Sequence, residues 1–272
     1  MNKVVLITGA SSGMGKSTAN ILQGQGYKVY GAARRLDQMQ DLQDNGISIL
    51  PLDLTKDESI VTCVNTILKK EGRIDVLINN AGYGSYGTVE DTSIEEAKRQ
   101  FDVNLFGLAR ITQLVIPGMR KNKSGRIVNI SSMGGKIYSP FGAWYHATKH
   151  AVEGWSDCLR LELKPFGIDV VVVEPGIIKT PWGTIAADNL RKVSGNGAYS
   201  DFANKVADGM EKTYTGNKLT NVEVLGDVIA KAATVNHPKT RYLKGAMAKP
   251  AVTVRKWMGD RVFDNMIMGQ FK

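Results

Sequence analysis

Cysteine is nearly missing from this chain of 272 residues. The two that occur, Cys63 and Cys158, have neither CxxC spacing nor a His/Cys cluster around them, so neither a disulfide framework nor a zinc site is expected, and no metal of any kind. Both are read as small core residues. Long apolar runs are lacking too: no stretch approaches the roughly 18 to 20 residues that span a bilayer. Val4-Val5-Leu6-Ile7, directly after Met1-Asn2-Lys3, is too short for a signal-peptide core, so a cytoplasmic location is expected. There is no low-complexity run. With 43% apolar and 22% charged residues, the composition excludes disorder and fits a single folded domain over 1–272.

Acidic residues are scarce near the end of the chain. Of the net charge of +9, the segment from Lys231 to Lys272 alone carries +7, with nine Lys or Arg against Asp260 and Asp264. A basic segment of this kind can serve nucleic acid or a membrane surface. The simpler expectation is a solvated helix face. Trp257, Met258, Val262, Phe263 and Met266 recur at helical spacing and would pack it onto the body, leaving peripheral membrane contact as the open alternative and no nucleic-acid partner.

What is present is alternation. Val4 to Thr8, Lys28 to Ala33, Ser48 to Asp53, Ile74 to Asn79, Arg126 to Ser131 and Val170 to Val173 read as strands. Between them lie helical stretches at Met14 to Gln25, from Leu36, Asp57 to Glu71, Ile94 to about Arg120, and Ala143 to Lys164. Continuously apolar strands separated by helices imply a parallel sheet covered on both faces, joined by right-handed crossovers. The expected class is α/β, doubly wound, with ligands bound beyond the carboxyl ends of the strands.

The chemically suggestive segments fall at those ends. In Thr8-Gly-Ala-Ser-Ser-Gly-Met-Gly15, glycines 9, 13 and 15 let the backbone turn and approach a pyrophosphate at a helix N-terminus. A rival overlaps this turn. Ala10 to Ser17 misses the phosphate-loop pattern GxxxxGK(S/T) by one residue, Ala10 standing for the first glycine. A phosphate-loop NTPase also needs a strand-end aspartate for Mg²⁺, and Ile74 to Ile78 ends in Asn79-Asn80. Arg34 and Arg35 follow the second strand, with Ala33 where an NAD site places its carboxylate. Two guanidiniums there can hold a 2′-phosphate, which favours NADP(H). Asp53-Leu54 ends the third strand and can hold an adenine edge, although Asp53 can equally cap the turn after it.

Tyr145-His-Ala-Thr-Lys149 places a phenol and an ammonium on one helix face. In a chain of this composition such a pair is expected by chance about once, and Tyr214-Thr-Gly-Asn-Lys218 is a second. Context distinguishes them. Gly216-Asn217 interrupts the second pair, whereas the first opens a helix whose Ala147, Ala151, Trp155, Cys158 and Leu159 mark an apolar stripe expected to be buried. An ammonium about 4 Å from the phenol contributes up to ~4 kcal/mol at an effective dielectric of ~20, bringing its titration toward neutrality. Ser132 ends the fifth strand and its hydroxyl can hold a substrate oxygen while Tyr145 protonates it; Ser131 is the neighbour that strand alternation turns the other way. Asn104 is a poor helix former facing the same cleft, suited to a water linking Lys149 to solvent or to plain packing.

With these segments assembled, the chain resembles the short-chain dehydrogenase/reductase family over about residues 3 to 180, and more faintly to Tyr242. The resemblance implies a Rossmann-type sheet of seven strands and a tetrad of Asn104, Ser132, Tyr145 and Lys149. Cofactor contacts are implied at Gly9, Ser11, Ser12, Gly13, Met14 and Gly15, at Arg34, Arg35, Asp53 and Leu54, at Asn80, Ala81 and Gly82, at Tyr145 and Lys149, and at Pro175, Gly176, Ile178 and Thr180. Lys16 after the glycine turn is less usual in the family. Thr8 to Gly15, Val76 to Gly82 and Arg241 to Phe263 look most like the branch related to 17β-hydroxysteroid and retinol dehydrogenases. Pairing of copies through Ile94 to Arg120 and Ala143 to Lys164, as a dimer or tetramer, is implied likewise.

A substrate lid is expected over about 181–225, where Trp182, Ile185, Ala186 and Leu190 precede Ser194-Gly-Asn-Gly197, and a C-terminal extension over about 246–272. With Met133, Ile137, Tyr138, Phe141 and Trp144 expected nearby, the substrate is an apolar ketone or secondary alcohol, bound at Ser132, Tyr145, Met133, Tyr138 and Trp182. Arg191 and Lys192 leave an acidic substrate possible. The expected activity is NADP(H)-dependent carbonyl reduction; the alternatives are the NTPase and a nucleotide-binding regulator without turnover.

Overall fold

The computed structural model describes residues 2–216 and 219–271. The elements run β1 (Val4–Thr8), α1 (Gly13–Gly24), β2 (Lys28–Ala33), α2 (Gln40–Asp44), β3 (Ser48–Pro51), α3 (Asp57–Glu71), β4 (Val76–Asn79), α4 (Ile94–Phe101) and α5 (Gly107–Lys121). They continue through β5 (Gly125–Ile130), α6 (Ala143–Leu163), β6 (Ile168–Pro175), α7 (Trp182–Ser194), α8 (Ser200–Thr215), α9 (Val222–Thr234), β7 (Arg241–Lys244) and α10 (Ala248–Met268). All seven strands join one parallel sheet in the order β3-β2-β1-β4-β5-β6-β7.

Side-chain alternation explains why the strands read as unbroken apolar runs. Val5, Ile7, Val76, Ile78, Val128, Ile130, Val171 and Val173 face a core closed by α1 and α9, with Leu22, Leu225 and Ile229. Their neighbours Val4, Leu6, Leu77, Ile127 and Val170 face the opposite core, closed by Ile60, Ile67, Ile111, Val115 and Leu159 of α3, α5 and α6. The apolar residues of the central strands are therefore out of water on both faces of the sheet. The connections reverse between β1 and β4, which opens a crevice at their carboxyl ends.

Several elements differ from their sequence reading. The helix from Ile94 is interrupted by a π-turn at Asp102–Phe106, which carries Asn104. Beside it, Gly107 lies so close to the Leu54 carbonyl that a Cβ would clash. The stripe expected to bury α6 is only partly buried: Leu159 is in the core and Trp155 packs against it, Ala151 is half-buried, and Ala147 and Cys158 are exposed. The buried face instead holds Tyr145, His146, Thr148, Lys149, Val152, Glu153, Ser156 and Leu159. This helix turns its polar edge to the crevice, so amphipathicity reads inverted. Cys63 is a core residue as expected; Cys158 is not. In α10 the expected packing stripe is mostly exposed, Trp257 at 75% and Met258 and Val262 also open, while Phe263 is fully buried. Gly259, at φ 76°, breaks the helix, so the residues before and after it no longer share one face. Met266 is packed as expected.

Candidate active site

Two loops meet at the crevice through the end of β1. Gly9 has φ 69° and lies against Ala81, which a Cβ would approach to 2.7 Å; a Cβ on Gly15 would strike the Gly9 carbonyl and the Asn80 amide. Glycine is required here by close approach as well as by φ. Asn80 Nδ2 donates to the carbonyls of Thr8 and Gly9, at 3.0 and 3.1 Å. In return, Thr8 Oγ1 accepts the N–H groups of Asn80 and Ala81, both at 3.0 Å. Ser12 begins α1 in an extended conformation with its side chain making no cap bond. The N-terminus of α1 faces the crevice with a backbone cradle that extra side chains would fill, which fits a dinucleotide pyrophosphate.

Lys16 does not join that cradle. Its ammonium donates to the Gln38 carbonyl at 3.2 Å and pairs with Asp41 at 2.8 Å. A phosphate-loop lysine reaches for phosphates, so the NTPase alternative loses its cation. Arg34 and Arg35 are exposed at the end of β2, without ion pairs among the described residues, and Arg34 is close enough to influence Asp53. Asp53 turns to its own loop, accepting the N–H and hydroxyl of Thr55 at 3.0 and 2.8 Å. Burial raises its carboxyl, but those bonds with Arg34 and Lys56 leave it below the usual range. The turn-capping reading of Asp53 is seen in these bonds, and β3 ends at Pro51 rather than Asp53. Leu54 is buried in the core behind.

A cavity of about 280 Å³ lies beyond β1, β4, β5 and β6. Its walls include Met14, Asn80, Gly82, Pro175, Gly176, Ile178 and Thr180 on one side and Ser132, Met133, Tyr138, Tyr145, Lys149 and Trp182 on the other. Ser132 Oγ accepts the Gly134 N–H at 2.9 Å and faces the Tyr145 phenol. Ser131 points away, buried between Gly135 and Glu153 with its hydroxyl unpartnered. Lys149 Nζ donates to the Ile130 carbonyl at 2.9 Å. Asn104, read as facing this cleft, spends its amide on both backbone groups of Tyr83 and on the Thr148 hydroxyl, which fixes the loop after β4 beside Lys149.

The electrostatics differ from expectation. Burial pushes the Tyr145 phenol up to about 12, with the Ser132 hydroxyl opposing, and Lys149 is not among the groups that lower it. Lys149 is itself pushed down to about 8 by burial, partly offset by Glu153. Desolvation dominates both groups, so the protein alone does not bring the phenol to neutrality.

Sequence reasoning missed several wall residues, Tyr86, Tyr214 and Ile267 among them. Tyr86 lies 5.9 Å from the Tyr145 ring and 5.8 Å, edge-on, from Trp182. Tyr214 stacks 5.9 Å from Trp182; its partner in the second Tyr-x-x-x-Lys pair, Lys218, lies outside the described residues. Ile267 reaches the cavity from the end of α10. Only Tyr214 had a sequence signal, and it pointed to the wrong role. His146 also lines the cavity. Because the Ser139 N–H donates to Nε2 at 3.1 Å, the proton sits on Nδ1 and is donated to the Gly134 carbonyl at 2.9 Å. Burial pushes this imidazole down to about 4.

The segment expected as a lid contains α7 and α8, which pack through Ala186, Leu190, Ala203 and Val206. Trp182 stands 5.2 Å from Tyr145. Ile185, however, is exposed. Phe141 packs on Phe202 rather than in the cavity, and Trp144 faces Phe101 of α4. Arg191 is engaged by Asp188, Asp208 and Glu211, so it does not call for an acidic substrate.

Fold and crevice together define a dinucleotide-dependent oxidoreductase. The short chain dehydrogenase family model matches residues 3–189, and the chain belongs to the short-chain dehydrogenase/reductase family, whose members use a nicotinamide dinucleotide. It is 36% identical over 262 residues to the 3-ketodihydrosphingosine reductase of Bacteroides thetaiotaomicron, covering 96% of this chain and 94% of that one. Among solved structures it is similar to a short-chain dehydrogenase from Streptomyces avermitilis, with TM-score 0.80, 30% identity and coverage of 94% and 96%. It is also similar to a serine dehydrogenase complexed with NADP+, with TM-score 0.76, 27% identity and coverage of 89% and 94%.

Proposed function

We propose that this enzyme interconverts an apolar ketone and its secondary alcohol with NADP(H), using Tyr145 as general acid and base. The observation that carries the reading is the Tyr145 phenol at the floor of a cavity walled by Met133, Ile137, Tyr86, Trp182 and Tyr214, with the Ser132 hydroxyl facing it. Reduced nicotinamide supplies the hydride to the carbonyl carbon. Ser132 and Tyr145 hold the carbonyl oxygen, and Tyr145 gives it a proton as charge develops there. In the oxidative direction Tyr145 would accept the proton, which asks that the burial holding its phenol near 12 be offset by positive charge when the oxidised cofactor is bound. Lys149, held on the Ile130 carbonyl, lines the same cavity one helical turn from Tyr145.

The preference for NADP(H) rests on Arg34 and Arg35, unpaired at the end of β2, and on Ala33, which offers no carboxylate to repel a 2′-phosphate. The solved relative with NADP+ is consistent with it. The substrate class rests on the apolar walls, and the reductase relative suggests a long-chain 3-ketone as the first compound to try. The chain acts as one domain, and copies pair through the outward faces of α4 to α6, where Phe106 and Leu161 are 59% and 63% exposed. Following NADPH absorbance across a panel of short polar and long apolar ketones tests the activity. Turnover of polar substrates alone would overturn the apolar assignment, and no turnover on any ketone or alcohol would overturn the reaction.

A further inference from the structure

The second half of α10 is held to the body from within. Phe263 is buried against Tyr138 at 5.1 Å, Tyr138 donates to Asp264 at 2.8 Å, and the Arg255 guanidinium lies 5.2 Å over the same ring. Ile267, one turn on, forms part of the cavity wall. The outer side is different. Lys249, Thr253, Lys256 and Trp257, at i, i+4, i+7 and i+8, share one helix face, and all are exposed. Exposure continues without a break through Met258, Gly259, Asp260, Arg261 and Val262, because the positive φ of Gly259 folds the chain there. Trp257 is the most open of the large apolar residues described, and the Lys256 ammonium lies 5.1 Å over its ring.

The charge on this face is free. Arg241 is spent on Glu153 and Asp157, and Arg255 on Asp260. Lys244, Lys249, Lys256 and Arg261 have no ion pair among the described residues. A row of free cations beside an open Trp, Met and Val matches an anionic lipid surface, which takes cations at the headgroups and the indole at the acyl boundary. A second copy of the chain would set the same cations against one another. A nucleic acid would pair with the cations but leave Met258 and Val262 without a partner.

We infer that the outer face of α10, from Lys249 through Val262, docks the enzyme on an anionic membrane surface, placing the α10 wall of the substrate cavity next to the lipid. The binding does not depend on which substrate the cavity takes or on whether turnover is seen. The test is co-sedimentation of the full chain with phosphatidylcholine vesicles, with and without about 30% phosphatidylglycerol, at low salt and at about 0.5 M salt. Expected is sedimentation with the anionic vesicles that high salt reverses, weakened about 25-fold in Lys249→Ala/Lys256→Ala and about tenfold in Trp257→Ala. Because these side chains are exposed, both variants should melt with the wild type, which separates lost docking from lost folding. Failure of the wild type to sediment, binding indifferent to salt, or variants that bind as the wild type does would each overturn the inference. Self-association or nucleic-acid binding that the same substitutions abolish, in the absence of vesicle binding, would assign the face to that partner instead.

Discussion

Thr8 and Asn80 hold each other reciprocally: the Thr8 hydroxyl accepts the Asn80 N–H, and the Asn80 amide donates back to the Thr8 carbonyl, both at 3.0 Å. The pair ties β1 to β4 where the sheet reverses its order, so the glycine turn and the loop before Tyr83 move as one piece. Thr8→Val keeps the shape but leaves the Asn80 and Ala81 N–H groups unpaired. The expected cost is ~2 to 4 kcal/mol, read as a fall of roughly 5 to 10 °C in melting temperature. NADPH, which the same turn is proposed to hold, should bind more weakly as well. An unchanged melt would show that water replaces the hydroxyl.

Tyr145→Phe should leave NADPH binding within about twofold, since the cradle lies on other loops, and lower ketone turnover by ~10² to 10⁴. Tyr214→Phe is the control. Tyr214 stacks on Trp182, and this variant should keep most of its kcat. Single-wavelength NADPH assays of both variants decide it; the reverse ranking would transfer the proton to Tyr214.

Removing Arg34 should weaken NADPH about 10- to 100-fold, the worth of a charge-assisted contact to phosphate. NADH, which lacks that phosphate, should be affected less than about threefold. Fluorescence titrations with the two cofactors on Arg34→Ala check this, and equal losses would refute the 2′-phosphate role.

Stability should depend on pH through Glu174. Burial, with the Glu153 carboxylate beside it, raises this carboxyl to about 7, against the help of Lys136 and Arg241. A raised carboxyl contributes stability that is complete below its unfolded value of about 4.5 and is lost as pH climbs through about 7. The stability difference between Glu174→Gln and wild type, followed by their melting temperatures, should therefore move in favour of the variant from pH 5 to pH 8, by ~1 to 3 kcal/mol. The difference is needed because His146, held neutral by burial, acts in the opposite sense between about 4 and 6.5. A variant that keeps the full wild-type pH profile would remove Glu174 as the cause.

The sheet was legible because doubly covered parallel strands must be largely apolar, and the buried runs 4–7, 76–78 and 170–173 are unbroken. The site was legible where backbone geometry forces residue type, as at Gly9 and Gly15, and where Tyr145, Lys149 and Ser132 follow strand ends in order. The buried face of α6 was less legible: Tyr145 and Lys149 line the cavity, Glu153 and Ser156 are buried on the same helix, and Ala147 and Cys158 lie outside. A rule that turns apolar residues inward misorders a helix whose buried face carries this many polar groups. Periodicity likewise could not see the break at Gly259, nor the fold that brings Ile267 back to the cavity.

The unequal placement of the two thiols gives the protein a reporter of its own. Cys63 is sealed between α3 and the sheet, and burial pushes its thiol up to about 12, too high to supply thiolate to an alkylating reagent. Cys158 stands open on the outer side of α6. A maleimide dye therefore attaches at one position without any mutation, on the far side of the helix from Lys149, and any assembly that covers this face registers as protection from labelling.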